Sequence, residues 1–349
     1  MNFDELLNLY GPRLAAAFQE AINSIKSSIV LARVIERLER GDVSGAVSAL
    51  QIDGDAFATL ELVLAEAYNA GGTNFVRSLP SLVDAEGLKV IWRFGVRNPE
   101  SERVLRQISS TFVTNITEDQ REGLRYALEQ GLMRGQNPKQ TAYDVAGRVN
   151  RITQRREGGL IGLTKPQIEF IYGENGAKVK LRSGNPELMK QYLSLKTRDK
   201  RFDRSVMAAI REEKPVPAET VDRIIRRLVD RNLLLRGEVI ALEETRTALE
   251  SSRSEAIRQQ IESGKLSQQD VTKRWKHSGS EHPRLAHIAM SGQTVPFDQP
   301  FVAPDGTQMM YPHDPDAPAS HRLGCKCRQE FDVDYIASGL RRYLARAAS

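Results

Sequence analysis

Only two cysteines occur in the 349 residues, Cys325 and Cys327. Two thiols cannot build a disulfide framework, so the chain reads as intracellular in origin. No run approaches eighteen apolar residues, so no transmembrane helix and no membrane partner are expected. The N-terminus, MNFDELLNLYGPRLAAAFQE, has acids early and no basic region before an apolar core, which is unlike a signal peptide. Aromatic residues are only 6%, which leans the fold toward helices built on Leu, Ile and Ala. Enzyme signatures are absent as well. There is no Gly-x-x-x-x-Gly-Lys-Ser/Thr phosphate loop, no Gly-x-Ser-x-Gly elbow and no His-Glu-x-x-His pair. His282 and His287 are five apart, about 140° around a helix, so one helix would not aim both at one metal.

Hydrophobic residues at 40% and charged residues at 27% are enough for packed cores, and the length allows two or three domains. The net charge of +5 permits contact with nucleic acid without requiring it. Between 196 and 236 twelve basic residues face seven acidic ones, an excess equal to that of the whole chain. Arg223, Arg226, Arg227 and Arg231 fall on or near one side of a helix-patterned stretch, 220–235. They form either a solvated face, partly neutralised by Asp222 and Asp230, or a contact for phosphate or an acidic partner.

The pattern elsewhere up to about residue 264 is helical. Gly11-Pro12 is expected to part a short first helix from a longer one, and Gly41 to stop the second. Asp42 is expected to cap a short helix, and a further helix over 54–70 to end at Gly71-Gly72. The stretch 88–94 suits a strand or a helix end equally. One helix is expected from Pro99 to Ser110. Another should open at Thr117, where Thr-x-x-Gln spacing is a capping-box signature, and end near Gly131. Asn137-Pro138 and Thr164-Lys165-Pro166 read as helix starts. A long helix over 238–264 carries Glu243, Glu244 and Glu250 within pairing distance of Arg246, Arg253 and Arg258.

The stretch 275–327 differs in kind. It holds all five histidines, both cysteines and seven of the fifteen prolines. Proline removes a donor and fixes φ, so this is a loop-rich unit with short strands rather than a long helix. Its few aliphatic residues suggest that a tie or a docking partner helps hold it. Thiolate and imidazole are good zinc ligands. The expected ligands are Cys325, Cys327 and His287, with a fourth from His282, His313, His321 or Asp314, and Gly324 favours the turn that aims both thiols at one atom. The alternatives are two buried thiols or an oxidised pair, Arg284 paired to Asp298 or Asp305, and His287 as a hydrogen-bonded core histidine. The fold class expected is mainly α: a helical body followed by a small α+β, loop-rich C-terminal domain. The partition is 1–115, 116–237 with the basic block, and 238–349.

The motif order in this last part resembles the phage Mu F-like minor head proteins, the phage head morphogenesis family. It runs Glu244-Thr245-Arg246, Trp275, Arg284 and His287, Gly292, an apolar-Pro-x-x-x-Pro-Phe segment over 295–301, Gly306, Tyr-Pro-x-Asp-Pro over 311–315, and Gly324-Cys325-Lys326-Cys327. The stretches 116–121, 155–164 and 200–204 resemble the helical region of the same proteins. His282, Ser291 and Gly324 depart from the family's usual Arg, Asp and Asn. The resemblance implies a minor capsid protein of a tailed phage, made in the host cytoplasm and carried in the virion. It would act in head assembly near the portal or inside the shell, with portal, major capsid or scaffold proteins as partners and packaged DNA as a further contact. Two other functions compete: a zinc-dependent hydrolase or effector domain carried in the head, and a sequence-indifferent DNA-binding protein.

Overall fold

The computed structural model describes residues 1–84, 87–95, 97–279 and 283–347. The chain is mainly α, a helical body with a small α+β, loop-rich C-terminal part. Its residues cluster into two compact units. One comprises 1–14, 61–112 and 239–349; the other comprises 15–60 and 113–238. The first 112 residues are divided between the two units. The chain passes from one unit to the other inside the helices Phe3–Ser28, Ala58–Ser78, Pro99–Met133 and Ala218–Glu262.

Helix starts follow local chemistry. Asp42 accepts the Gly45 N–H and caps Val43–Ala49. Asn137 accepts the Lys139 N–H ahead of Pro138–Ala146. Thr164 and Gln167 form a reciprocal capping box for Lys165–Tyr172. Each satisfies N–H groups that a helix start leaves orphaned.

Four expected breaks are not breaks. Phe3–Ser28 continues through Gly11-Pro12. An interior proline costs about 3 kcal/mol, but Leu6, Leu7 and Leu14 on either side of it are all buried, at about 1.5–3 kcal/mol each. Ala58–Ser78 continues through Gly71-Gly72. A Cβ on Gly71 would stand 2.3 Å from Ser252 Oγ, and one on Gly72 would stand 2.4 Å from the Phe94 ring. These glycines admit close neighbours instead of ending a helix. Pro99–Met133 is one helix. The Thr117 hydroxyl donates to the Val113 carbonyl at 2.8 Å, a bond within the helix, so no capping box forms there. Ala218–Glu262 runs through Gly237, where a Cβ would stand 3.0 Å from the Phe18 ring. The expected stops at Gly41 and Gly264 are observed, both at positive φ after the last helical turn. The stretch 88–94 is neither helix nor a named strand, and Lys89 makes an isolated antiparallel bridge with Val83.

In the unit that includes the C-terminus, Val271–Lys276 is the middle strand of three, antiparallel to Thr294–Pro296 and to Arg328–Val333. Val271, Lys273 and Trp275 are buried while Arg274 and Lys276 are exposed, the two-residue alternation of a sheet with one covered face. Phe301–Val302 and Gln308–Met309 form a second, two-stranded ladder. Trp275, Met290, Phe301, Ala303, Met309, Ala317, Cys325 and Cys327 pack as one buried cluster. The same unit holds the last part of the Ala218–Glu262 helix, where Thr245, Thr247, Glu250, Ser251, Ser252 and Glu255 are buried although polar.

Candidate metal centre

Gly324, at φ +71°, turns the chain ahead of Cys325. The Gly324 N–H donates to Glu243 Oε1 at 2.9 Å, and the Cys327 N–H to Cys325 Sγ at 3.3 Å. The turn thus brings both sulfurs to one side. His287 comes from the short helix Leu285–Ala289, whose preceding residue, Arg284, donates to the Leu323 carbonyl. Arg284 therefore joins this helix to the chain leading into the cysteines, and does not pair with Asp298 or Asp305 as the sequence allowed. Asp298 instead accepts from Gln268.

His287 Nδ1 lies 3.4 Å from Cys325 Sγ and 3.6 Å from Cys327 Sγ. The ligand atoms of these three buried residues all fall within 4.8 Å of one another. Zinc bonded at about 2.0 Å to nitrogen and about 2.3 Å to sulfur with tetrahedral angles holds the two atoms about 3.5 Å apart. The observed spacings match that value. The Trp275 indole meets the His287 ring edge-on, with centroids 5.2 Å apart, and closes one side.

A polar chain stands behind His287. Its Nε2 is 3.1 Å from His321 Nδ1, and His321 Nε2 is 2.8 Å from Asp305 Oδ2. The His321 imidazole and the Thr307 N–H hold the Asp305 carboxyl down at about 2, so it is ionised and can only accept. This assigns the protons. His321 carries hydrogen on Nε2, His287 carries hydrogen on Nε2, and the His287 Nδ1 lone pair faces the sulfurs. A metal-binding imidazole is oriented in the same way, by a partner on its far nitrogen. The thiols are unequal: the hydrogen bond between them pushes the Cys325 pKa up and the Cys327 pKa down. The donor set therefore fits a thiophilic cation such as zinc.

The structure brings Trp275, His287, Cys325 and Cys327 together, and Arg284 and Gly292 support them. The Gly292 N–H, at a residue of positive φ, donates to the Trp275 carbonyl at 2.9 Å. His277 accepts from the Gly279 N–H, and His282 lies outside the described residues. Asp314 is occupied with the N–H groups of Met310 and Asp316. Sequence reasoning missed Asp305 and Glu243. Glu243 had a signal: residues 243, 246, 247 and 250 are polar at helical spacing, and all four are buried.

In the other unit Arg223, Arg226, Arg227 and Arg231 are exposed. Among the described residues none of them makes an ion pair within 4 Å, and Arg223 reaches Thr220 Oγ1 at 3.4 Å. Asp230 lies beside the buried Lys26. Arg236, by contrast, is buried and bonded to Asp119 and the Gly162 carbonyl.

Compared with family models, curated proteins and solved structures, the chain matches none. No helix among the described residues is long and apolar enough to cross a membrane.

Proposed function

We propose that this chain is a minor capsid protein of a tailed phage that acts in head morphogenesis, with its C-terminal domain tied by a structural zinc ion. The supporting observation is the convergence of the motif residues. Trp275, His287, Cys325 and Cys327, spread along the sequence, share one buried site, and Arg284 and Gly292 brace the two segments that carry it. The residues by which the chain resembles phage Mu F-like proteins are thus the residues that organise a domain. That suits an assembly protein better than a hydrolase, because His287, Cys325 and Cys327 are only 2–3% exposed and a catalytic zinc needs an open position.

Bound zinc would cross-link His287 to thiols 38 and 40 positions away. Binding on the order of 10 kcal/mol exceeds the entropy of closing such a loop. The partners in this reading are portal, major capsid or scaffold proteins. The exposed arginines at 223, 226, 227 and 231 add a contact for packaged DNA, giving affinity without sequence readout.

The test is deletion of the gene in the phage that carries it, beside mass spectrometry of purified full and emptied particles. Defective heads and the presence of the chain in full particles are expected. Normal titres together with its absence from particles would overturn the proposal.

A further inference from the structure

Among the described residues, His313 is a buried histidine outside the set of His287, Cys325 and Cys327. It is 1% exposed, and it sits at φ +66°, a left-handed conformation uncommon for any residue but glycine. Its carbonyl accepts the Thr247 hydroxyl at 3.2 Å, which fixes it against the long helix. Yet neither ring nitrogen makes a hydrogen bond of acceptable geometry. Nδ1 is 3.3 Å from Glu243 Oε2, which is likewise unsatisfied, and the ring also lies beside Cys325. With Nδ1 beside the Glu243 carboxylate, Nε2 is the buried nitrogen left without a partner, which is costly.

We infer that His313 is the fourth ligand of the centre, through Nε2, completing a closed Cys2His2 set with no position left for water or substrate. This rests on the zinc reading above. With Nδ1 turned to Glu243, Nε2 is the atom left for the side of Cys325. One carboxylate would then serve two ligands, because Glu243 Oε1 already holds the Gly324 N–H in the turn before Cys325. The arrangement repeats the one behind His287, where Asp305 acts through His321. As the ring stands, His313 is outside the three residues whose ligand atoms lie within 4.8 Å of one another, so binding requires the imidazole to swing toward them.

The other described candidates are already engaged. His321 Nδ1 bonds His287 Nε2, on the side of that ring away from the sulfurs, and its Nε2 bonds Asp305. The carboxylate of Asp314 accepts from two backbone N–H groups.

The test uses the full chain, stripped of metal and titrated with cobalt(II) and with zinc against a competing chelator. In the parent, cobalt should give a tetrahedral spectrum and a thiolate charge-transfer band. In His313→Cys the band per cobalt should rise about one and a half-fold, as three thiolates replace two, with tight binding kept. His313→Ala should weaken zinc binding more than about a hundredfold, beyond the range of a residue that only orients a ligand. An unchanged band in His313→Cys, or near-parental affinity in His313→Ala, would overturn the fourth ligand and leave the three-residue site standing. A parent that binds neither metal would overturn both.

Discussion

His287 and His321 meet nitrogen to nitrogen, 3.1 Å apart, and Asp305 takes the far nitrogen of His321 at 2.8 Å. The carboxylate can only accept, so it sets the tautomer of both rings and turns the His287 lone pair toward Cys325 and Cys327. The order of donors along this chain, and not the presence of a histidine alone, makes His287 suitable as a ligand.

Breaking that chain should loosen the metal without removing a ligand. His321→Ala and Asp305→Asn are expected to lower zinc affinity about 10–100-fold, the usual effect of losing a group that orients a ligand. Chelator competition measures it. Affinity unchanged in both variants would show that the orientation of His287 is set by packing against Trp275 alone.

The exposed arginines of the Ala218–Glu262 helix make a separate prediction. Replacing Arg223, Arg226, Arg227 and Arg231 with Gln should weaken DNA binding and reduce its salt slope by roughly one for each phosphate contact removed. Fluorescence anisotropy at several salt concentrations reads both quantities. If neither changes, the four arginines are a solvated face.

Two helical glycines should respond to alanine in opposite directions. Gly71→Ala would push a methyl into Ser252 and Leu249, at a cost of about 1–3 kcal/mol for overpacking. Gly11→Ala meets nothing within 4 Å and lies inside a helix, so it should stabilise by about 0.5–1 kcal/mol. Urea unfolding of the two variants checks the signs, and equal effects would mean that Gly71 has no close neighbour.

Glu244 makes a prediction about pH. Burial pushes its carboxyl up to about 7, against partial relief from Arg322. A raised pKa favours the protonated form in the fold. Its contribution is therefore fully present below the ordinary glutamate value of about 4.3 and is lost as pH rises to 7. Glu244→Gln should match the parent at pH 4 and gain stability over it by pH 8, with a ceiling of about 4 kcal/mol. A constant difference across this range would contradict the assignment.

What the sequence made legible was local. Asp42, Asn137 and Thr164 mark helix starts because a capping side chain bonds N–H groups two or three residues away. Gly71 and Gly72 misled because their use depends on which residues pack opposite, and Thr117 because its hydroxyl bonds a carbonyl behind it. The same divide runs through the site. Thiol and imidazole chemistry singled out His287, Cys325 and Cys327. The link from Asp305 to His321 and the one from Glu243 to Gly324, 16 and 81 positions apart, exist only once the chain is folded. No spacing rule reaches that far.

The most direct measurement is the zinc content of the full chain purified without chelator, beside Cys325→Ser, with melting recorded for both. About one equivalent of zinc is expected in the parent, with little in the variant and a clearly lower melting temperature. Less than about a tenth of an equivalent in the parent, or unchanged melting after the substitution, would contradict a zinc-tied C-terminal domain.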